Sequence, residues 1–502
     1  MEKVALTTDR TIAGPAPSPD MLSHRTSAPR VWKPLLACVA VGALLRATVL
    51  AISSPSVLTY YGGDSIRYLR LDASGFQGLF SDNAMPAGYP GFLQGLAALS
   101  DHLAFTTATQ HILGVVAALL LFAAVRRADG GRPAALAAAG VVLLSGDQVF
   151  LEHGILTESL WFPLLALALF AVSGAIGESH RRLRWLLIGG ALIGLSALAR
   201  HVSEVLLLVV AAWAALAFGG SVKARLTRGG AVLGPGLAIL VVYYAVSVGL
   251  AGGYSGLTEN SGFSLYGRTG QFADCTRFTP PKGTRALCSP IPPEQRAGTF
   301  YWQFNPKSPI YARIAFEAGS RSDQKLLGSF GRAAILHQPL DYARAVTKDL
   351  ARFVVPDVGV ERPDSGITPE LMSFESTVPV AQAVNSATLA RQFSEKYDGV
   401  GDGSASQASR TILGAYQSVF RLNGLLLLAL LATASAGLVR GRGAARTGCG
   451  LFLSSSIALF VLPVATSAYD ARYAVAPGHL LTAAAGLGLT ALAARRRAAC
   501  RR

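Results

Sequence analysis

Ten apolar stretches dominate the hydrophobic pattern of the chain. A transmembrane helix needs about 20 predominantly apolar residues, and each stretch approaches that length. The third and fifth are short and rich in Gly and Ala, so the number of spans could differ by one or two. The pattern predicts an all-α polytopic membrane protein with about ten transmembrane helices, at 31–54, 103–125, 133–150, 155–176, 185–199, 202–219, 229–251, 418–439, 447–467 and 473–494.

Polar segments divide these spans into groups. The connections 55–102 and 252–417 are much longer than the others. The second contains SDQKLLGSFGRAAILH and PLDYARAVTKDLARFVV, whose apolar residues recur at helical spacing and predict helices lying against the membrane face or each other. The predicted regions are a disordered polar tail at 1–30, helices one to seven at 31–251, the loop region 252–417, helices eight to ten at 418–494 and a basic tail at 495–502.

The composition agrees with a lipid environment. Of 502 residues, 51% are hydrophobic and only 15% are charged, with a mean hydropathy of +0.41. Soluble domains carry roughly 25% charged residues, so a water-soluble enzyme is excluded. The net charge of +16 does not indicate a nucleic-acid partner, because the basic residues lie between the spans.

Basic residues are concentrated in alternate connections. The positive-inside rule assigns such loops to the cytoplasm, so both termini are predicted to be cytoplasmic and both long connections to face the outside of the plasma membrane. The basic groups are Arg126, Arg127 and Arg132; Arg181, Arg182 and Arg184; Lys223, Arg225 and Arg228; Arg440, Arg442 and Arg446; and Arg495, Arg496, Arg497, Arg501 and Arg502.

The cysteines fit this topology. Cys38, Cys449 and Cys500 fall within spans or on the predicted cytoplasmic side. Cys275 and Cys288 lie in the predicted external connection, where a disulfide would stabilise the fold by about 3 kcal/mol in the chain-entropy model. A redox or metal-binding pair is disfavoured because no histidine lies nearby.

Asp64 is the first candidate functional residue. It follows two glycines in YYGGDSIRYLRL and begins an apparent amphipathic helix. Aspartate is a good N-cap, so a capping role and a chemical role are both open.

Other polar residues gather at the predicted external ends of the spans, where charge near lipid is a functional hypothesis by default. Glu158 begins an apolar run, so it is predicted to face the bundle interior, and His153 has a structural alternative. For the arginines the alternative is snorkelling to lipid phosphate. The candidates are Arg46, Glu152, His153, Glu158, Arg200, His201, Arg472 and Tyr473.

Several of these residues lie in motifs that resemble one family. The segments YYGGDSIRYLRL, MPAGYPGFL, HGILTESLWFPLLALAL, GLSALARH and DARYAVAP resemble the polytopic GT-C glycosyltransferases, which use polyprenyl-phosphate sugars. This class includes protein O-mannosyltransferases, aminoarabinose transferases and actinobacterial cell-wall arabinosyl- and mannosyltransferases, and the residue bias of this chain looks actinobacterial. The resemblance is strongest over 31–251, extends over the last three spans and is weakest in 252–415. The chain departs from some members at Ser65, where they have a second acid.

The resemblance implies a GT-C-like bundle and a metal-independent, cofactor-free, inverting transfer of a sugar from a polyprenyl-phosphate donor. The acceptor would be a hydroxyl of a cell-envelope glycan, lipid or protein at the outer face of the membrane. In this interpretation Asp64 is the general base and Arg472, Arg200 and Arg46 bind the donor phosphate. The predicted contacts to sugar or acceptor are Glu152, His153, Glu158, His201 and Tyr473.

The main alternative is a polytopic transporter or flippase for a lipid-linked sugar. It predicts inverted repeats and broken helices near the bilayer midplane. No convincing internal repeat is present, and the charged candidates gather at one face.

Overall fold

The computed structural model describes 29–53, 57–59, 64–73, 75–80, 85–251, 257–313, 321–355, 366–376, 378–379 and 406–500. Most of the predicted tail 1–30 and the end of the predicted tail 495–502 lie outside these residues. The described residues form twenty α-helices and one two-stranded antiparallel sheet.

The first eleven helices belong to the amino-terminal part of the bundle and its long connection. Their bounds are α1 Pro29–Ile52, α2 Asp64–Ala73, α3 Gly75–Gly78, α4 Gly88–Ala97, α5 Leu103–Arg127, α6 Arg132–Leu144, α7 Gly146–His153, α8 Glu158–Gly177, α9 Arg182–Ala199, α10 Ser203–Leu216 and α11 Val222–Ala251. Strand β1 is Val57–Thr59 and pairs with β2, Val378–Pro379.

The remaining helices form the second long connection and the last spans. Their bounds are α12 Ser261–Gly270, α13 Thr299–Phe304, α14 Pro309–Ala312, α15 Arg321–His337, α16 Pro339–Ala351, α17 Gln407–Val419, α18 Gly424–Arg440, α19 Gly443–Thr466 and α20 Val475–Cys500.

The prediction of a helical multi-pass membrane protein is confirmed. In the described part of the chain, eight helical segments are long and apolar enough to cross a membrane, and a ninth arises when the bent pair α6–α7 counts as one. The predicted span 202–219 corresponds to α10, which has only 14 residues. Each of the ten predicted stretches therefore has a helical counterpart, and one of them is short.

The predicted span 133–150 is not one continuous helix. It bends by 49° between α6 and α7. Ser145 ends α6 and caps α7, since its Oγ accepts a hydrogen bond from Gln148 N at 3.3 Å. An ideal Cβ on Gly146 would lie 2.4 Å from Cα of Gln417, so the close approach of α17 requires glycine at this position.

Small residues allow the spans to pack closely, as the glycine-rich runs predict. An ideal Cβ on Gly190 of α9 would lie 2.1 Å from the carbonyl oxygen of Val232 on α11. One on Gly437 of α18 would lie 2.2 Å from Cα of Gly488 on α20. Backbone contacts between helices therefore replace side-chain interdigitation at these crossings.

Helices α12 to α16 enclose a smaller core in the second long connection. Tyr266, Trp302 and Phe330 are buried in it, and a disulfide joins Cys275 to Cys288 beside it. The two helices predicted from amphipathic spacing are present as α15 and α16.

The smaller core is attached to the membrane bundle. The hydroxyl of Tyr342 on α16 donates to the carbonyl oxygen of Ala465 on α19 at 3.0 Å. The rings of Phe353 and Phe460 meet edge to face with centroids 5.2 Å apart. These contacts hold the second long connection over one end of the spans.

Candidate functional site

A polar cavity of about 360 Å³ lies where the bundle meets the second long connection. The beginnings of α8 and α20 and the end of α9 form its floor, α2 forms one wall, and residues around α12 to α14 form another. Its lining includes Asp64, Arg67, Tyr68, Thr157, Arg200, His201, Asn260, Phe263, Ser264, Phe304, Tyr311, Arg472 and Tyr473.

The cavity brings together a carboxylate and a guanidinium from two residues that are 408 positions apart in the chain. Asp64 is the first residue of α2, and Arg472 lies in a 3₁₀ turn that precedes α20. Arg472 Nη1 donates to Asp64 Oδ2 at 2.7 Å. The Asp64 side chain is 35% exposed and that of Arg472 is 13% exposed, so the carboxylate remains open to the cavity.

Asp470 orients Arg472 from the other side. Its Oδ2 lies 2.7 Å from Nε of Arg472, and its Oδ1 accepts a hydrogen bond from the Arg472 backbone N at 3.0 Å. The second long connection braces this turn, because Ala471 N donates to the carbonyl oxygen of Ile367 at 3.0 Å. Burial raises the pKa of the Asp470 carboxyl above its usual value, although Arg472 opposes that shift.

Glu158 fixes the second guanidinium. It begins α8, and its carboxylate is bonded to Arg200, which directly follows α9. The same Glu158 Oε1 lies 3.8 Å from Nε of Arg472. The predicted contact between Glu158 and a sugar or acceptor hydroxyl is not supported, because this buried carboxylate is already bonded to arginine.

Aromatic rings support the two guanidinium groups. The Cζ atoms of Arg200 and Arg472 lie 5.1 Å and 5.5 Å from the ring centroid of Tyr473. Arg200 also lies 5.5 Å from the ring centroid of Trp161. Tyr473 is thus placed where it can order both cations.

A narrow, mostly apolar cleft continues from the cavity into the bundle. It shares Arg200, Arg472 and Tyr473 with the polar cavity and is otherwise lined mainly by residues of α8, α19 and α20, including Leu459 and Ala476. The guanidinium groups therefore lie at a boundary between a polar cavity and the interior of the spans.

Arg46 and Glu152 belong to a different, buried cluster. Nε and Nη2 of Arg46 bond to Glu152 at 2.7 and 2.9 Å, and Nη1 bonds to the carbonyl oxygen of Leu143 at 2.8 Å. His111 Nδ1 lies 3.0 Å from the same carboxylate. The expected roles of Arg46 at a donor phosphate and of Glu152 at a sugar are therefore not supported, since both side chains are buried and occupied.

His153 also lies outside the polar cavity. Its Nδ1 is 3.4 Å from Nε2 of His111, and its ring packs 5.9 Å from that of Phe374. The predicted sugar contact is not supported, and the structural alternative fits the position. His201, in contrast, lines the cavity.

Asp470 and the cavity residues of the second long connection were not among the predicted site residues. The sequence signals for Asp470 were its place two positions before Arg472 and at the start of the DARYAVAP segment. Asn260, Phe263 and Tyr311 gave none, because their segment has little regular patterning. Within the described residues, no group of three or more His, Cys, Asp and Glu side chains is arranged to hold a metal ion.

Comparisons with known proteins give only distant structural likenesses. No family profile and no curated protein matches the chain. An apo oligosaccharyltransferase from Archaeoglobus fulgidus aligns at 13% identity with a TM-score of 0.44, over 91% of this chain and 50% of that chain. The archaeal oligosaccharyltransferase AglB from the same organism, in complex with an inhibitory peptide and a dolichol-phosphate, aligns at 15% identity with a TM-score of 0.40, over 91% and 50%.

A Saccharomyces cerevisiae protein O-mannosyltransferase complex bound to the sugar donor is also similar in part. It aligns at 18% identity with a TM-score of 0.36, over 50% of this chain and 38% of that chain. This chain therefore spans half or less of the length of these solved proteins.

Proposed function

We propose that this protein is a membrane glycosyltransferase that moves a sugar from a polyprenyl-phosphate donor to an acceptor hydroxyl. The observation that carries the proposal is the Asp64–Arg472 pair at a polar cavity, beside a second cation at Arg200. A sugar phosphoester needs fixed positive charge at its leaving phosphate and a base at its attacking hydroxyl, and this cavity offers both.

Asp64 acts as the general base in this proposal. Its carboxylate is open to a cavity of about 360 Å³, which suits a role in accepting a proton from the acceptor hydroxyl as that oxygen attacks the anomeric carbon. One direct displacement of the polyprenyl phosphate gives inversion at the anomeric carbon.

Arg472 and Arg200 receive the departing phosphate. Charge-assisted bonds from guanidinium to phosphate are strong and directional, and Glu158, Asp470 and Tyr473 hold both groups before the donor arrives. Fixed arginines can stabilise the leaving group without a divalent ion, so we propose metal-independent transfer.

His201 and Tyr473 are the predicted sugar or acceptor contacts that also line the cavity. The proposed orientation places the cavity at the outer face of a plasma membrane, with both termini in the cytoplasm, because the basic loops lie at the opposite ends of the spans. In this orientation the acceptor is a component of the cell envelope, and an actinobacterial cell-wall role fits the resemblance in the sequence.

A transporter or flippase is the second candidate, and the bend between α6 and α7 is the observation that favours it. Broken helices line substrate sites in transporters. At this bend, however, Ser145 caps the start of α7 and Gln417 packs against Gly146. Protein contacts therefore occupy the space that a transported substrate would need. The polar cavity lies elsewhere, at the ends of α8, α9 and α20.

Reconstitution separates the two candidates. Purified protein in vesicles is incubated with a panel of polyprenyl-phosphate sugars and candidate acceptors, and both formation of a glycosidic bond and movement of the lipid are measured. The proposal expects consumption of one donor with release of polyprenyl phosphate. Movement of intact donor across the vesicle membrane without a new glycosidic bond would favour the flippase.

A further inference from the structure

A second polar cavity of about 430 Å³ lies against the first turn of α12. We name it the basic groove, and its lining residues are Thr258, Glu259, Ser261, Gly262, Leu265, Arg321, Gln324, Lys325, Gly328 and Arg332. Arg321 Nη2 lies 2.8 Å from Oε1 of Glu259, the one acid of the groove, and Lys325 and Arg332 are the two further basic side chains. The groove therefore carries a net positive charge of two.

Gln324, whose side chain is mostly buried, lies in the lining of this groove. Gln324 is 7% exposed, and its Oε1 accepts a hydrogen bond from Phe263 N at 3.0 Å. Its Nε2 has no hydrogen-bond partner among the described residues. A buried donor without a partner is costly, so the Gln324 amide is suited to a ligand acceptor atom.

Two further donors converge on the same place. An ideal Cβ on Gly328 would lie 3.3 Å from Nη1 of Arg332 and 3.6 Å from Cα of Gly262, so the Arg332 guanidinium folds back along α15 toward the start of α12. Asn260 precedes α12 without a side-chain capping bond. The start of a helix presents backbone N–H groups and a partial positive charge. In α12 the N–H of Phe263 is already bonded to Gln324, so the N–H groups of Ser261 and Gly262 are the ones that a ligand could bind.

The basic groove adjoins the proposed catalytic cavity. Asn260, Phe263 and Ser264 line the catalytic cavity, while Ser261 and Gly262 line the basic groove. These residues lie on different faces of the first turns of α12. A ligand that occupies both cavities must extend around the start of this helix.

We infer that the basic groove binds an anionic group, phosphate or carboxylate, of a carbohydrate acceptor whose attacking hydroxyl lies in the catalytic cavity. This inference rests on the proposed function and names the acceptor class as an anionic glycan. A lipid headgroup is the other source of a phosphate. The lining opposes that source, because Leu265 is its one aliphatic side chain and acyl chains need an apolar continuation.

The test measures binding without transfer. The full chain in nanodiscs of phosphatidylcholine is titrated calorimetrically with glucose 6-phosphate, glucuronate and glucose. Both anionic sugars are expected to bind at least tenfold more tightly than glucose, because each charge-assisted bond contributes about that factor. Equal affinity for the three sugars would overturn the inference.

Variants assign the binding to the groove. Gln324→Glu keeps an acceptor for Phe263 N but adds a negative charge, and the pair Lys325→Gln with Arg332→Gln removes two cations. Both are expected to weaken the binding of glucose 6-phosphate by roughly tenfold or more. The Lys325→Gln and Arg332→Gln pair, at exposed positions, is also expected to keep the thermal unfolding of the wild type. The control is Arg344→Gln, an 80% exposed side chain on α16, which should bind as the wild type does. Normal binding by both groove variants would overturn the inference.

Two further experiments test the source of the anion and the proposed function separately. Nanodiscs that contain phosphatidylglycerol should leave glucose 6-phosphate binding unchanged, and competition by that lipid would overturn the carbohydrate assignment. Asp64→Asn should bind glucose 6-phosphate normally. Anion binding without any glycosyl transfer would contradict the proposed function alone, whereas transfer without anion binding would contradict the groove alone.

Discussion

Acidic side chains bond to Arg472 on both sides. This arrangement predicts how replacing Arg472 should affect the transfer rate. Nη1 bonds to Asp64 and Nε lies 2.7 Å from Asp470. Lysine keeps the positive charge but presents a single point donor in place of a planar fork. The fork geometry is therefore the property to test.

Arg472→Lys is predicted to lower transfer by roughly 10- to 100-fold, which corresponds to the loss of one charge-assisted bond to the donor phosphate. Initial rates at varied donor concentration measure the effect. Arg277→Lys, at an exposed ion pair with Asp341, is the matched control and should transfer normally. Full activity of Arg472→Lys would show that the planar fork of Arg472 is not needed at the donor phosphate.

Asp470 gives the site a pH dependence. Because burial raises its pKa in the folded protein, protonation of Asp470 stabilises the folded state at low pH, and this contribution is lost as the pH rises through the raised value. The ionised carboxylate also competes with the donor phosphate for Arg472.

The apparent donor affinity of the wild type is therefore predicted to fall as the pH rises through the pKa of Asp470. Asp470→Asn keeps the oxygen that caps Arg472 N and removes the titrating proton, so its donor KM should change less with pH. Donor KM across the acidic range, measured for both proteins, checks this. Parallel profiles would show that Asp470 does not titrate against the donor.

At the scale of single residues, the sequence located candidates but not their partners. Asp64, Arg200 and Arg472 were predicted in the site and do line one cavity. Arg46 and Glu152 satisfied the same criterion, charge near lipid, yet they bond to each other. Local sequence cannot distinguish a charge neutralised by a distant helix from one that remains open to a ligand.

At the scale of elements, α7 shows how a buried polar cluster joins helices. The Glu152 carboxylate accepts hydrogen bonds from Arg46 of α1 and from Gln148 of its own helix, and it also contacts His111 of α5. Asp147 of the same helix bonds to Arg421 at 2.9 Å, beyond the end of α17. No Lys or Arg stands beside these two acids in the sequence. Their arginine partners come from distant parts of the chain.

Glu152→Gln should destabilise the protein by about 3–5 kcal/mol, because it leaves the Arg46 charge buried without its counterion. Replacing both partners, by Arg46→Met with Glu152→Leu, should restore much of that loss. Unfolding of the purified protein in detergent measures both effects. If the folded fraction of Glu152→Gln shows altered donor selectivity with unchanged stability, Glu152 contacts substrate and the structural interpretation is wrong.

Hydrophobic periodicity predicted the existence of these elements better than their ends. The predicted span 418–439 is divided between two helices, because α17 ends at Val419 and α18 begins at Gly424. Asn423 caps α18, since its Oδ1 accepts a hydrogen bond from Leu426 N at 3.0 Å. An ideal Cβ on Gly424 would lie 1.8 Å from the carbonyl oxygen of Val354. A distant segment thus determines this boundary, which an apolar run cannot reveal.

At the scale of the whole molecule, the alternation of basic loops makes a prediction about orientation. An epitope tag placed in the 252–415 segment should be accessible to antibody on intact cells, and tags at either terminus should become accessible only after permeabilisation. Accessible termini in intact cells would reverse the assignment and move the proposed cavity to the cytoplasmic face.

The cavity depends on the whole chain. Its floor comes from three spans and its walls from α2 and from the second long connection. The multi-pass helical class followed from composition and span length alone. The contribution of Asn260, Phe263 and Tyr311 required the folded protein, since no sequence pattern linked them to Asp64.

The central claim is that Asp64 removes the acceptor proton during glycosyl transfer. Asparagine at this position keeps the size and an N-capping oxygen for α2 but has no basic carboxylate. The most direct measurement is therefore the single-turnover rate of transfer from a polyprenyl-phosphate sugar by wild type and Asp64→Asn, with Asp341→Asn on α16 as the control. We expect a loss of about 10²- to 10⁴-fold for Asp64→Asn, with unfolding temperature retained and a normal rate for the control. Near-normal transfer by folded Asp64→Asn would contradict this claim.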